Sequence, residues 1–313
     1  MRRAVSTEKK EWSRRVFLNR SSQAAAGMVA GMLASSSILE AGSLWPTGST
    51  PRFGLVTYQW GRDWDLPTLL RNCQKAKVWG VELRTEHAHG VGAHLTARQR
   101  YEVKLRFENS PVELLGLGMN WAFHYRDPNR LRKEIAGARA SIKLSHDVGG
   151  SGVKVKPNGL PDEAPVEQTI EQIGASLNQL GAFGADYGQQ IRVEVHGRKT
   201  QQLPIMKQIF DGADHPNVTV CWNSNSQDLD GEGLRYNFDL VKDRFGKTAH
   251  VREFNVGDYP YQELIDLFVE MDYDGWVLLE ARTEPMNRVD ALAEQRALFE
   301  QMLAKALRSV KAG

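Results

Sequence analysis

The sequence predicts a (β/α)₈ barrel, and three observations carry that reading. From residue 51 onward, short apolar runs alternate with longer amphipathic stretches, the pattern of βα units in a parallel sheet. Eight such units occupy roughly 260 residues, the size of one closed barrel. Several amphipathic stretches end at glycine just before the next apolar run, as at Gly80, Gly149-Gly150 and Gly275, where a left-handed residue closes a helix. An open doubly wound sheet uses similar units, but so many even repeats favour closure.

Taken in order, the strand candidates are Phe53 to Tyr58, Gly80 to Arg84, Val112 to Leu117, Gly152 to Lys156, Ile191 to His196, Val218 to Trp222, His250 to Phe254 and Trp276 to Glu280. Each is a short run rich in Val, Ile, Leu or aromatic residues. Between them, Leu66 to Val78, Pro128 to Val148, Val166 to Tyr187 and Tyr261 to Met271 show helical periodicity. No composition break or long linker divides residues 51–313, which form one domain. The segment Pro157 to Pro161 after the fourth strand is a candidate cover, with Gly159 as its flexible point.

Residues 1–50 read differently. Ser13-Arg14-Arg15-Val16-Phe17-Leu18 precedes a small, apolar segment from Ala24 to Ala34, the order of a twin-arginine signal. The apolar run is too short to span a bilayer, so stable membrane insertion is not expected. The expectation is export to the periplasm or cell envelope. Net charge is only +2, which excludes a global electrostatic case for nucleic-acid binding. Small molecules are the expected partners, and the sequence leaves the oligomeric state open. Cys73 and Cys221 lie far apart within apolar stretches and read as buried thiols, not as a disulfide.

Residues two apart in a strand share a face, so polar pairs near the C-terminal ends of barrel strands point into the mouth. The chain repeats this arrangement: Glu82 and Arg84, Lys154 and Lys156, Glu194 and His196, His250 and Arg252, Glu280 and Arg282, with Asn223 just past the sixth strand. A single pair is as readily a structural ion pair. Five strands charged at the same end imply a site, because active sites of this fold lie there. Glu194, Asn223, His250 and Glu280 supply three oxygen donors and an imidazole, a set suited to Mn²⁺, Mg²⁺, Co²⁺ or Zn²⁺. The metal-free alternative is a network in which Lys156, Arg252 and Arg282 hold the two glutamates. His87 and His89, in the loop after the second strand, and Trp60 after the first are candidate substrate contacts. Trp121 and His124 follow the third strand, where packing is as common as function, and His146 and His215 carry no assigned role.

These residues resemble the xylose isomerase-like TIM barrel superfamily, in its sugar phosphate isomerase and epimerase branch. That branch has a glutamate ending strand 5, here in Ile191-Arg192-Val193-Glu194, and one ending strand 8, here in Leu278-Leu279-Glu280. It has a His-x-x-Asp element at strand 7, which reads His250-Val251-Arg252-Glu253. Its Asp-x-x-His element at strand 6 departs: Asn223 stands for the aspartate and Ser226 for the histidine. Asparagine keeps a carbonyl donor but removes a negative charge.

The resemblance implies a metal-dependent isomerase or epimerase acting on a sugar or keto-sugar through an enediolate. Glu194 and Glu280 would exchange the carbon-bound proton, and Lys156 and His196 would assist as catalytic groups. Glu82, Arg84, His87, His89, Lys154, Arg252, Arg282 and Trp60 would bind a carbohydrate. The first alternative is a dehydratase or lyase that passes through the same enolate and expels a β substituent from a keto-sugar or keto-glycoside. The second is an exported barrel that binds carbohydrate without catalysis, motivated by Asn223.

Overall fold

The computed structural model describes residues 50–312; the Arg14-Arg15 motif and the apolar segment behind it lie outside them. Eight parallel strands alternate with helices: β1 (Arg52–Val56), α1 (Leu66–Ala76), β2 (Gly80–Arg84), α2 (Ala97–Glu108), β3 (Glu113–Ala122), α3 (Pro128–Asp147), β4 (Gly152–Lys156) and α4 (Val166–Ala185). The second half continues with β5 (Gln190–Glu194), α5 (Leu203–Gly212), β6 (Val218–Cys221), α6 (Leu234–Asp239), β7 (Thr248–Val251), α7 (Tyr261–Glu270), β8 (Trp276–Leu279) and α8 (Arg288–Ala312). Neighbouring strands follow the order β6-β5-β4-β3-β2-β1-β8-β7. Asn223 and His250 close the remaining seam by an isolated parallel bridge, in which the His250 amide donates to the Trp222 carbonyl at 2.7 Å. The protein is a nearly closed (β/α)₈ barrel.

Local chemistry sets the helix starts. Asp65 accepts from the Thr68 amide at 2.8 Å with Pro67 in the first turn of α1, and Thr96 and Gln99 form a reciprocal capping box on α2. Asp127 caps α3 in the same way, accepting from Asn129 at 2.9 Å. The helices expected from periodicity are present with ends one or two residues shorter. Among the described residues no helix is long and apolar enough to cross a membrane, and Cys73 and Cys221 are free and buried.

β1 and β5 each start one residue earlier and end two residues earlier than expected, and β3 and β7 differ more. β3 runs to Ala122 instead of stopping at Leu117, because the Gly116 and Gly118 that interrupt its apolar run stay in the ladder. β7 begins at Thr248, two residues earlier than expected, so Arg252 and Glu253 lie just beyond it.

Most apolar side chains fill the layer between sheet and helices, while the barrel interior holds a small plug of Val56, Leu115, Trp276 and Leu278 beside Tyr58. Above this plug the interior is charged. Glu82, Lys154, Arg192, Glu194 and His250 are all buried on strands β2, β4, β5 and β7. Glycines make the room: a Cβ on Gly118 would stand 2.5 Å from Glu82 Oε1, and one on Gly152 would stand 2.7 Å from the Arg192 guanidinium carbon. Charges so placed are tolerable only when paired, and their pairing defines the site.

Candidate active site

Glu194, at the end of β5, is the hub. Lys154 Nζ, on the neighbouring β4, lies 2.6 Å from its Oε2, and Lys156 Nζ lies 3.7 Å from the same oxygen. Asn223 Nδ2 donates to Oε1 at 3.0 Å, and His250 Nδ1 stands 3.8 Å from it. On the other side of the imidazole, His250 Nε2 is 3.3 Å from Glu82 Oε1, so the ring is bracketed by two carboxylates. Burial alone would raise the Glu194 carboxyl, but the charge of Lys154 and the groups at His250 and Lys156 hold it well below the usual carboxylate range. Burial likewise opposes the charge on Glu82, yet His250, Lys154 and Arg192 keep its carboxyl low. Burial would lower His250, but the Cys221 sulfur and the Glu82 and Glu194 carboxylates raise it well above an ordinary histidine.

Glu280 faces this cluster from just past β8. Arg252 Nη1 pairs with its Oε2, and Arg84 Nη1 lies 3.7 Å from its Oε1. Burial and the Glu194 charge would raise its carboxyl; His250, Lys154 and Arg252 outweigh them and lower it. Both glutamates are therefore carboxylates at neutral pH. Above Glu194, Lys156 Nζ is 3.4 Å from His196 Nε2, while His196 Nδ1 donates to Asn158 Oδ1 at 3.0 Å. That bond leaves Nε2 as the acceptor turned toward the ammonium. Asn158 adopts the left-handed region at φ 64, which a β-branched residue would resist. Burial lowers both the Lys156 ammonium and the His196 imidazolium.

The donor set fits a single divalent ion. One ligand atom each from Glu194, His250 and Glu280 lies within 4.8 Å of the others. Asn223 Oδ1 and His250 Nδ1 are buried without a hydrogen-bond partner among the described residues, and both belong to side chains that flank Glu194. Glu82 behind the imidazole supplies the carboxylate that commonly orients a ligating histidine. The site is also unusually cationic, since Lys154, Lys156, Arg84 and Arg252 all stand within 4 Å of the two glutamates.

A cavity of about 490 Å³ opens over these groups, with Arg84, Lys156, Glu194, His196, Arg252 and Glu280 in its wall and Arg282 at its exposed rim. Lys154, Glu82, Asn223 and His250 lie beneath it, fully buried, so Lys154 and Glu82 reach a substrate only through Glu194 and His250. Three other expected contacts fall outside it. Trp60 is 2% exposed in the core and donates to the Thr283 carbonyl at 2.8 Å, packing instead of forming a sugar wall. His89 is buried, with Nε2 on the Arg84 carbonyl at 2.7 Å and Nδ1 accepting from the Val91 amide at 3.0 Å; both ring nitrogens are spent on its own loop. His87 stands at the edge of that loop, 3.4 Å from Thr57 Oγ1, away from the glutamates. Glu253 turns to the β8 loop, accepting from the Arg282 and Thr283 amides at 2.9 and 2.7 Å. His124 stacks on Tyr125, their centroids 4.1 Å apart.

Sequence reading missed Arg192, which the same two-residue rule would have found two positions before Glu194. Its guanidinium donates to the Leu115 carbonyl and the Ser151 hydroxyl, both at 2.8 Å, and floors the charged layer. Tyr58, Asn120, Tyr125 and Asn158 also line the cavity, mostly from loop positions that carry no strand signal.

Known proteins agree with this architecture. Solved structures with the same fold include 3-keto-D-glucoside 4-epimerase from E. coli (TM-score 0.68, 13% identity, 80% of this chain and 100% of that one). L-ribulose 3-epimerase superposes with TM-score 0.72 at 13% identity, over 84% of this chain and 98% of that one. A xylose isomerase-like TIM barrel protein from Mycobacterium smegmatis, solved in complex with magnesium, gives 0.61 at 13% identity over 82% and 98%. No curated protein matches the chain. The profile of the xylose isomerase-like TIM barrel family matches residues 70–302, and the chain belongs to that family.

Proposed function

We propose that the protein is a sugar isomerase or epimerase that moves a carbon-bound proton of a keto-sugar through an enediolate, with Glu194 and Glu280 as the proton-handling pair. The observation that carries this is the approach of the two carboxylates, one from β5 and one past β8, to within 4.8 Å across the floor of one cavity. The epimerase names of fold relatives support the same chemistry.

Cations hold both carboxylates ionised, so either serves as a base toward a carbon acidified by the neighbouring carbonyl. Lys156, Arg84 and Arg252, already turned toward the glutamates, balance the charge that develops on the substrate oxygens. Two ionised glutamates leave the returning proton to another donor. Lys156 provides it by way of Glu194, standing 3.7 Å from that carboxylate and 3.4 Å from His196 Nε2 with its ammonium pKa lowered by burial, while Glu280 takes up the proton leaving carbon. A divalent ion (Mn²⁺, Mg²⁺, Co²⁺ or Zn²⁺) held by Glu194, His250 and Glu280, with Asn223 Oδ1 beside them, would polarise adjacent carbonyl and hydroxyl oxygens of the substrate. In keeping with the Arg14-Arg15 motif, we assign the protein to the cell envelope by twin-arginine export.

A second reading keeps the enediolate and expels a β substituent. The Lys156–His196 pair favours it, because it places a proton donor beside the base Glu194. Incubating a keto-glucoside with the enzyme in D₂O separates the readings by mass spectrometry. Epimerisation yields an isomer carrying one deuterium, elimination yields a lighter product and a released alcohol, and unchanged protonated substrate would sink both.

A further inference from the structure

We propose that the site continues into an apolar trough that receives the aromatic aglycone of a glycoside, so that the substrate is an aryl keto-glycoside instead of a free sugar. This rests on the keto-sugar reading and deepens it. The polar cavity over Glu194 and Glu280 shares Arg84, Asn120 and Tyr125 with a second cavity, and that one shares Thr85, His87, Met119 and Trp121 with a third of about 470 Å³. The three cavities adjoin in series through these shared walls, leading away from the glutamates between the β2–α2 loop and α3.

Chemistry changes along the path. The first part is lined by charged groups and is sized for a single sugar ring. The far part is walled mainly by Val91, Ala93, Met119, Trp121, Ala140 and Leu144, and its ionisable lining residues are Glu86, His87 and His94, with no Lys or Arg. Between them stands His87, whose imidazole burial and the neighbouring His89 and Arg84 push down to about 4, leaving it uncharged at neutral pH.

The far wall is also fixed in place. Trp121 Nε1 donates to Ser141 Oγ at 2.8 Å, and its ring packs so closely on α3 that a Cβ on Gly137 would stand 2.4 Å from it. A partly buried indole held this way, beside the buried Met119 thioether, presents a preorganised surface for an aromatic ring. Glu86, which lines both cavities at the junction, takes a left-handed φ of 70.

The test is titration calorimetry with methyl and 4-nitrophenyl 3-keto-β-D-glucosides against wild type, Ala140→Trp and Ala140→Ser. Ala140 is exposed on α3 and touches none of the catalytic groups, so the larger side chain fills the trough without entering the core. Wild type and Ala140→Ser bind the nitrophenyl glycoside at least about tenfold more tightly than the methyl glycoside. Ala140→Trp brings the ratio near one while the methyl affinity changes less than about twofold. Equal affinities in wild type, a ratio unchanged by Ala140→Trp, or binding of neither glycoside overturns the trough. Product analysis on the methyl glycoside is scored separately: absence of any isomerised or eliminated product removes the catalytic reading, and the binding ratio still decides the trough.

Discussion

Lys154 places its ammonium 2.6 Å from Oε2 of Glu194, and both side chains are buried. A buried ion pair adds little net stability over an apolar pair, but breaking it strands a charge. Lys154→Met is expected to destabilise the fold by about 3–5 kcal/mol in urea unfolding. Adding Glu194→Gln removes the stranded charge, so the double variant is expected to be more stable than the sum of the single effects predicts. Strict additivity would show that the two groups are not energetically coupled.

Glu280 sits between Arg252 and Arg84 and is expected to carry a proton in turnover. Glu280→Gln keeps the shape and an acceptor oxygen for the arginines, so the melting temperature should shift by only a few degrees. The rate should fall at least about 10²-fold, the usual contribution of a positioned base. Retained activity would remove Glu280 from the mechanism.

Asn223 stands where the resemblance calls for an aspartate, and it spends Nδ2 on Glu194 while Oδ1 has no hydrogen-bond partner among the described residues. Asn223→Asp replaces the donor with a third anionic ligand candidate, beside Glu194 and Glu280, in a site that already holds four cations. Mn²⁺ binding, followed by calorimetry on metal-stripped protein, is expected to tighten about 10-fold or more. An unchanged affinity would place Asn223 outside the metal shell.

Much of this site was legible because strand periodicity is blind to depth but not to direction. Glu82, Lys154, Glu194 and His250 alternate with Val and Leu, so their inward facing follows from the pattern alone. That Lys154 lies beneath the cavity and Lys156 beside it does not follow, because depth depends on strand stagger and on the space left by Gly118 and Gly152. Loop residues carry even less signal. Trp60 and His89 looked like substrate contacts because they follow strand ends, yet their ring nitrogens are satisfied by backbone carbonyls and amides that only the folded loops bring near. Asn120 and Tyr125 line the cavity because β3 runs on to Ala122, past the Leu117 at which its apolar run ends in the sequence.

Trp60 belongs to the core and not to the substrate wall. Trp60→Phe loses the 2.8 Å bond to the Thr283 carbonyl and leaves a partial void in the core. Unfolding experiments should show a loss of about 1–3 kcal/mol, while KM for any sugar substrate stays within about twofold of wild type. A large rise in KM at unchanged stability would return Trp60 to the substrate wall.

Asp228 predicts a pH dependence separate from catalysis. Its Oδ2 accepts from the Tyr259 hydroxyl at 2.6 Å and the Asn225 amide at 3.0 Å, while Oδ1 is buried without a partner among the described residues. Burial pushes its carboxyl up to about 8, from roughly 3.9 in an unfolded chain. Below the unfolded value both states hold the proton, and the stabilising contribution is complete. As pH rises, the unfolded chain releases the proton while the folded protein keeps it, so stability falls until the folded carboxyl ionises near 8. Asp228→Asn cannot titrate and keeps an oxygen for Tyr259 and Asn225. Its stability relative to wild type should therefore increase between pH 5 and pH 8, by roughly 1 kcal/mol for each pH unit. Urea midpoints of the two proteins across that range measure the slope, and a difference that stays flat would mean that Asp228 ionises at an ordinary pH despite its burial.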